Sequence, residues 1–211
     1  MDGRFANAQI VCCLLCCCLL GCASKPLKEK TPDLSFTQSG DLIYRFGNGF
    51  FSGLFRDFST QEKRFSHVGI IYRPQHSDSI FVLHAEASEL TGIGGVRKDR
   101  AGLFLHKVNE WAIYRVQASP DQRREIARQG LDHHLRKVPF DRTFDVEDTS
   151  AVYCTELVAR CVNKALHTKL IKQRTTRAKR RFIAIDDTYL VNGVELVQKQ
   201  IAKTHKGRSS H

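Results

Sequence analysis

The stretch AVYCTELVARC, residues 151–161, places two cysteines seven residues apart in a helical pattern. The helix predicted over residues 149–166 starts near Ser150, so Cys154 lies in or near its first turn. Exposed backbone N–H groups and the helix dipole stabilise a thiolate at that position. Cys161 lies two turns deeper and is predicted to be a core residue. For Cys154 the residues alone leave two interpretations open, a nucleophile and a buried core thiol.

The same two cysteines are predicted to remain unbridged. A helix rises about 1.5 Å per residue, so their Cα atoms lie roughly 10 Å apart. A disulfide requires less than about 7 Å. The other six of the eight cysteines stand close together near the N-terminus, at positions 12, 13, 16, 17, 18 and 22. The sequence therefore predicts no framework of disulfides.

A second stretch, RFSHVGIIY at residues 64–72, places His67 at the start of a predicted strand. Gly69 falls on the same strand face and leaves room for a close neighbour. Further along, His84 and Glu86 are two residues apart on another predicted strand and share a face. Either could orient an imidazole ring. The alternative for His67 is a strand-end histidine bonded to a loop carbonyl. The alternative for His84 and Glu86 is a solvated polar face.

The alternation and composition of the central region predict several strands between two long helices. The first long helix is predicted from Ser119, which can cap it, through Val138. A shorter helix is predicted over residues 48–59, and Gly92, Gly94 and Gly95 indicate a turn. Strands are predicted at residues 40–46, 67–74, 79–87, 101–108 and 111–117. This arrangement predicts an α+β fold in which an antiparallel sheet packs against helices.

Charge and composition limit the possible partners. The 211 residues suit one domain, and the net charge of +11 favours acidic surroundings. Residues 172–181 are densely basic and are predicted to form a solvated loop. Nucleic acid is not expected as a partner, because no stacking pattern or known motif accompanies them. His133 and His134 are predicted at a helix surface. No spacing completes a zinc site, so neither metal nor cofactor is expected.

The N-terminus has the pattern of a targeting segment. Residues 10–20 are uninterruptedly apolar but too short to span a bilayer, which requires about twenty residues. The sequence LLGC, residues 19–22, resembles the lipobox of bacterial lipoproteins, which implies cleavage before Cys22 and lipid on that cysteine. Ala23 at the next position resembles the residue found in lipoproteins that are sorted to the outer membrane. The alternative is a plain secretory signal or a buried apolar arm. We therefore predict a signal peptide at 1–21, a lipidated tether at 22–39, a domain at 40–201 and a polar tail at 202–211.

Four pieces in order, GDLIY, SHVGIIY, HAEAS and VPFDRTF followed by YCTELV, resemble the permuted papain-like amidases of the YaeF/YiiX group, within the NlpC-type cell-wall peptidase superfamily. The resemblance covers most of residues 40–166. In papain-like enzymes the cysteine helix precedes the histidine strand, whereas here His67 precedes Cys154. The resemblance therefore implies a circularly permuted papain-like fold. Retinol acyltransferase-like proteins share this permuted order.

The resemblance implies a thiol-dependent amidase or peptidase. Cys154 matches the nucleophile, His67 the general base and Glu86 the third polar group. His84 is the alternative third residue, since the acyltransferase branch places a histidine after the same strand. The implied substrate is an amide of peptidoglycan or a cell-surface peptide, cleaved through an acyl-enzyme. The alternatives are a lipid acyltransferase or thioesterase-like activity and a non-catalytic, lipid-tethered binding module. The implied location is the cell envelope, lipid-anchored at the outer membrane and facing the periplasm.

The lipobox interpretation predicts the behaviour of a Cys22→Ala variant. Without the cysteine no acyl chain can be attached, and each buried methylene of such a chain contributes about 0.8 kcal/mol to anchoring. We expect the variant to leave the membrane fraction or to remain unprocessed, as measured by fractionation and electrophoretic mobility. An unchanged membrane fraction with unchanged mobility would contradict the prediction.

Overall fold

A six-stranded antiparallel sheet forms the centre of the fold. The structure is a computed structural model that describes residues 32–47, 56–88, 90–108, 110–177 and 180–201. The sheet order is β4-β3-β2-β1-β5-β8, and every neighbouring pair is antiparallel. Its strands are β1 (Leu42–Arg45), β2 (His67–Tyr72), β3 (Phe81–Ala87), β4 (Gly94–Arg100), β5 (Trp111–Val116) and β8 (Val194–Gln200). The predicted α+β fold with an antiparallel sheet is confirmed.

Two long helices, α2 (Pro120–Leu135) and α3 (Cys154–Leu166), pack against one face of the sheet. Helix α2 begins as predicted, with Ser119 as its cap and Gln122 completing a capping box. Helix α3 begins at Cys154 itself, after the extended residue Tyr153. Because its first turn lies over the sheet, the helix carries Cys154 to the end of β2. No helix among the described residues is both long and apolar enough to cross a bilayer.

The strand predicted at residues 101–108 is wrong. That segment contains the short helix α1 (Ala101–Phe104), and the strand lies before it, as β4. Sequence patterns miss β4 because it is an edge strand of sequence GGVRKDR with mostly exposed side chains, so it shows no apolar alternation. The predicted turn glycines 94 and 95 belong to this strand. A Cβ on Gly94 would lie 2.1 Å from the Glu86 carbonyl oxygen, so only glycine allows this approach.

Three further expectations need correction. The segment predicted as a tether through residue 39 packs on the domain in part, because Leu34 is buried and Phe36 packs in the same apolar cluster. The basic segment contains a hairpin, β6 (Thr175–Arg177) and β7 (Arg180–Phe182). His133 is buried and hydrogen-bonded to the Gln129 carbonyl.

Some predicted segments lie outside the described residues. They are the signal peptide, Cys22, the polar tail and most of the helix predicted over residues 48–59, of which residues 56–58 are described and helical.

The sheet separates two apolar clusters, and this separation positions the site. The larger cluster lies between the sheet and helices α2 and α3 and includes Cys154 and Cys161, both buried and free. The smaller cluster lies on the opposite face, under α1, and includes Ile71, Val82 and Phe104. Because side chains alternate along a strand, His67 and Gly69 of β2 share the face of Ile71. The side chain of His67 therefore leaves the sheet on the face opposite to the cysteine helix, although His67 and Cys154 both line one cavity.

Gly69→Ala tests how closely β2 and β3 must approach. The added methyl would lie 2.4 Å from Val82 Cγ1 and 3.1 Å from His84 Cβ. We expect a loss of roughly 1–3 kcal/mol in the free energy of unfolding, as for other overpacked cores. Chemical denaturation measures this loss. In a Val82→Ala background the same change should cost less, and an equal cost in both backgrounds would contradict the proposed clash.

Candidate active site

The pairing of β2 with β3 brings His84 next to His67. The register pairs Ile70 with Leu83, so Gly69 lies opposite His84 one residue further along both strands. The missing side chain of Gly69 lets the imidazole of His84 lean towards His67. The ring centroids of the two histidines are 5.1 Å apart and nearly perpendicular. Phe104 of α1 contacts both rings and forms an apolar wall beside them.

A chain of hydrogen bonds runs from His67 to the edge strand. His67 Nε2 lies 2.9 Å from His84 Nδ1, and His84 Nε2 lies 3.1 Å from the Asp99 carboxylate. Hydrogen bonds from His84 and Arg97 lower the pKa of Asp99 to about 2, so its carboxylate is ionised and can only accept. With both rings neutral, His84 carries its proton on Nε2 and His67 donates from Nε2 to His84. The free lone pair of His67 is then on Nδ1.

The surroundings of His67 favour its neutral form. Burial, the positive charge of Arg45 and the neighbouring His84 lower its pKa well below the usual 6.5. The Arg45 guanidinium also lies over the Phe104 ring, with its Cζ atom 4.5 Å from the centroid. An imidazole with a lowered pKa can accept a proton at neutral pH because it does not already carry one.

Glu86 contacts arginines. Its Oε1 atom accepts a hydrogen bond of 2.6 Å from Arg45, and its Oε2 atom lies 3.8 Å from Arg97. The charge of Glu86 also contributes to raising the pKa of Cys154. This contribution is secondary to that of burial. His67 Nε2 instead hydrogen-bonds to Nδ1 of His84, the alternative third residue.

Cys154 lies where the sequence predicts, at the first position of α3. The backbone N–H groups of Val68, Thr155 and Cys154 favour its thiolate. Burial outweighs them and raises the pKa of the thiol to about 12. The expected stabilisation by the helix start is therefore present but smaller than the desolvation penalty. Burial also raises the pKa of Cys161.

One cavity joins the candidate residues. Its volume is about 420 Å³, and Cys154, His67 and Glu86 all line it. Its walls include the apolar side chains Leu90, Phe140 and Phe144, and Arg142 borders it. Leu90 is 97% exposed although it lines the cavity. The cavity thus offers an apolar channel with a thiol, an imidazole and cationic side chains along it.

The same residues could hold a metal ion. One potential ligand atom each from His67, His84 and Glu86 lie within 4.8 Å of one another. Two imidazoles and a carboxylate are the donor set of many zinc sites. Asp99 accepts from the far nitrogen of His84, as carboxylates behind metal-binding histidines do. The donor set therefore fits a divalent cation, although the sequence spacing indicated none.

A six-stranded antiparallel sheet, with the histidine strand preceding the cysteine helix in the chain, defines a permuted papain-like protein. The model of the family described as "Permuted papain-like amidase enzyme, YaeF/YiiX, C92 family" matches residues 36–199. The chain belongs to this family. The structure is similar to the crystal structure of "metalloprotein yiiX" from Escherichia coli O157:H7, with a TM-score of 0.63 and 15% identity over 78% of this chain and 98% of that one. No curated protein matches the sequence with significance.

The sequence patterns gave no indication of a role for Asp99 or Arg45. Asp99 lies on the edge strand β4, which has no apolar pattern. Its contact with His84 joins β4 to the neighbouring strand β3. Arg45 follows the strand pattern of β1 but pairs with Glu86, 41 residues away. The spacing of Arg97 and Asp99 two residues apart in VRKDR, residues 96–100, is the signal that could have indicated a strand with both side chains on one face.

The raised pKa of the thiol predicts how Cys154 reacts with iodoacetamide. A thiol with a pKa of about 12 is almost entirely protonated at neutral pH. We expect alkylation of Cys154, followed by peptide mass spectrometry, to be slow at pH 6 and to rise steadily through pH 9. Cys161→Ser should leave this profile unchanged. A plateau already reached near pH 6 would indicate a preformed thiolate–imidazolium pair and would contradict the prediction.

Proposed function

We propose that the protein is a cysteine amidase that acts through an acyl-enzyme, with Cys154 as nucleophile and His67 as general base. The observation that carries the proposal is the shared cavity of Cys154 and His67, combined with the bond from His67 Nε2 to His84. That bond leaves Nδ1 of His67 as the nitrogen available to the thiol. Family membership supports amidase chemistry at this site.

The proposed reaction begins with a neutral thiol and a neutral imidazole. His67 Nδ1 accepts the Cys154 proton as the sulfur attacks the carbonyl carbon, and a C–S bond forms. His67 then donates that proton to the leaving amine as the C–N bond breaks. Water then attacks the thioester carbonyl and gives a proton to His67. The C–S bond breaks, the acid leaves, and His67 returns the proton to the Cys154 sulfur. Backbone N–H groups at the start of α3 stabilise the oxyanion.

His84, with Asp99 behind it, acts in this proposal as the positioning residue for His67. Asp99 holds the proton of His84 on Nε2, and His84 then holds the proton of His67 on the nitrogen away from the thiol. Glu86 instead neutralises Arg45 beside the base. The yiiX structure is titled as that of a metalloprotein. In this chain His67, His84 and Glu86 are the residues that would hold a metal.

The proposed substrate is an amide of peptidoglycan or of a cell-surface peptide. The net charge of +11 and Arg142 at the cavity favour an anionic polymer. A second candidate is a lipid ester or thioester. Two observations favour it, the contact between the two histidines and the apolar cavity wall that ends in the exposed Leu90. An acyl chain could extend along Phe140 and Phe144.

The lipobox at Cys22 supports a location at the outer membrane, lipid-anchored and facing the periplasm. A tether from a lipidated Cys22 to the first packed residue, Leu34, would hold the cavity near the membrane surface. Such a position suits both candidate substrates, because cell-wall peptides and lipids are both present there.

A comparison of His84→Gln with Glu86→Gln tests the proposed roles. Loss of the orienting group in a Ser-His-Asp triad costs about 10⁴-fold in rate. We therefore expect His84→Gln to reduce hydrolysis by at least about 10²-fold, while Glu86→Gln retains most of it. The assay is mass analysis of products from purified peptidoglycan and, in parallel, from acyl thioesters.

Controls separate chemistry from folding. Cys154→Ser should abolish turnover and leave the melting temperature close to that of the wild type, whereas Cys161→Ser should retain turnover. Trapping of the acyl group on Cys154, seen by intact mass, identifies which substrate class acylates the enzyme. If Glu86→Gln is inactive and His84→Gln is not, the roles assigned to these two residues are reversed.

A further inference from the structure

The His67–His84 contact places two ring nitrogens where a proton or a metal ion could join them. The nitrogens are 2.9 Å apart, and the Glu86 group lies within 4.8 Å of both rings' ligand atoms. Two nitrogens on one tetrahedral zinc ion, at about 2.0–2.1 Å each, are roughly 3.3–3.4 Å apart. To admit a cation, the two nitrogens need to move apart by about 0.4–0.5 Å, and both rings need to turn so that their lone pairs converge on the ion.

The surroundings of the three residues suit such a cation. Asp99 fixes the proton of His84 on Nε2, so the lone pair of Nδ1 points at His67. Asp99 is thus already in the place of a carboxylate that orients a metal-binding histidine. Glu86 uses Oε1 for Arg45, and its other oxygen lies 3.8 Å from Arg97. The two arginine charges oppose a cation, and the Asp99 charge favours it, so we expect weaker binding than at a dedicated structural zinc site.

We propose that His67, His84 and Glu86 form a site for a divalent cation of the zinc class, and that its occupancy excludes the form of His67 able to accept a proton from Cys154. The second half rests on the proposed function. A neutral imidazole has one lone pair and one N–H. When Nε2 of His67 binds a cation, the ring proton must be on Nδ1, and Nδ1 can no longer accept the thiol proton. The space between the two ring nitrogens therefore holds either the shared proton or the cation, but not both.

Binding is tested first, without reference to activity. The protein for the experiment is the full chain with the six N-terminal cysteines replaced by serine, so that their thiols do not bind the metal. Zn²⁺ is titrated by calorimetry, and the visible absorption of Co²⁺ reports the geometry of coordination. We expect His84→Gln and Glu86→Gln each to weaken binding by at least about tenfold, and Asp99→Asn to weaken it by about 10- to 100-fold.

Two variants serve as matched controls. His133→Gln removes a buried histidine outside the group, and Cys154→Ser removes the thiol in the same cavity. Both should bind Zn²⁺ as the parent protein does. Equal affinity in His84→Gln, Glu86→Gln and Asp99→Asn would overturn the proposed site. Loss of binding in Cys154→Ser would also overturn it, because the thiol would then be a ligand. Melting temperatures identify any variant that fails to fold, and the remaining two then decide.

Exclusivity is tested by alkylation of Cys154 with iodoacetamide at pH 8. Saturating Zn²⁺ should make alkylation at least about tenfold slower than in the metal-free protein. A chelator should restore the metal-free rate. Unchanged alkylation in a protein that binds Zn²⁺ through these residues would overturn the exclusion and leave the site intact. Failure of the amidase assay would not affect either result, since neither measurement requires a substrate.

Discussion

The hydrogen bond between His67 Nε2 and His84 Nδ1 is the interaction on which the candidate site depends. It exists because Gly69 lets two neighbouring strands bring their side chains together, and because Asp99 fixes the far nitrogen of His84. Its consequence is directional. By occupying the nitrogen of His67 that faces β3, it leaves the other nitrogen for the cavity that contains Cys154.

Burial determines the electrostatics of the pair. It raises the pKa of Cys154 and lowers the pKa of His67, so both shifts favour the neutral forms. A thiolate–imidazolium pair would require the reverse on both residues. The proposed chemistry is therefore proton transfer during attack, in which substrate supplies the carbonyl whose developing charge the helix start stabilises. After burial, the charge of Arg45 also lowers the pKa of His67, and Glu86 forms an ion pair with that arginine.

Much of the fold follows from local sequence patterns. The apolar residues of strands β2, β3 and β5 favour burial, and this makes the strands recognisable in the sequence. Ser119 provides the hydrogen bonds that begin α2. The edge strand β4 could not be predicted in this way, because one side of an edge strand faces solvent and charged residues suit it. Asp99 was missed with it. The packing of Leu34 against the domain likewise depends on a distant apolar cluster that short patterns do not reveal.

Cys154 and His67 could be singled out from the sequence because one begins a predicted helix and the other a predicted strand, whereas their catalytic roles were implied by the family resemblance. The residues alone do not distinguish His84 from Glu86 as the third group, and the resemblance favoured Glu86. Both share a strand face, and what differs is the partner that a neighbouring strand provides. Arg45 of β1 engages Glu86, and Asp99 of β4 engages His84. Only the register of the sheet contains that information.

The most direct test of this account is the position of the ring protons, measured by ¹⁵N-edited NMR of histidine-labelled protein at neutral pH, with His67→Gln and His84→Gln used for assignment. The account requires both rings to be neutral, with the proton of each on Nε2 and Nδ1 of His67 unprotonated. Asp99→Asn should disturb that state in both rings. A His67 ring that carries its proton on Nδ1, or that is an imidazolium in the wild-type protein, would contradict the account.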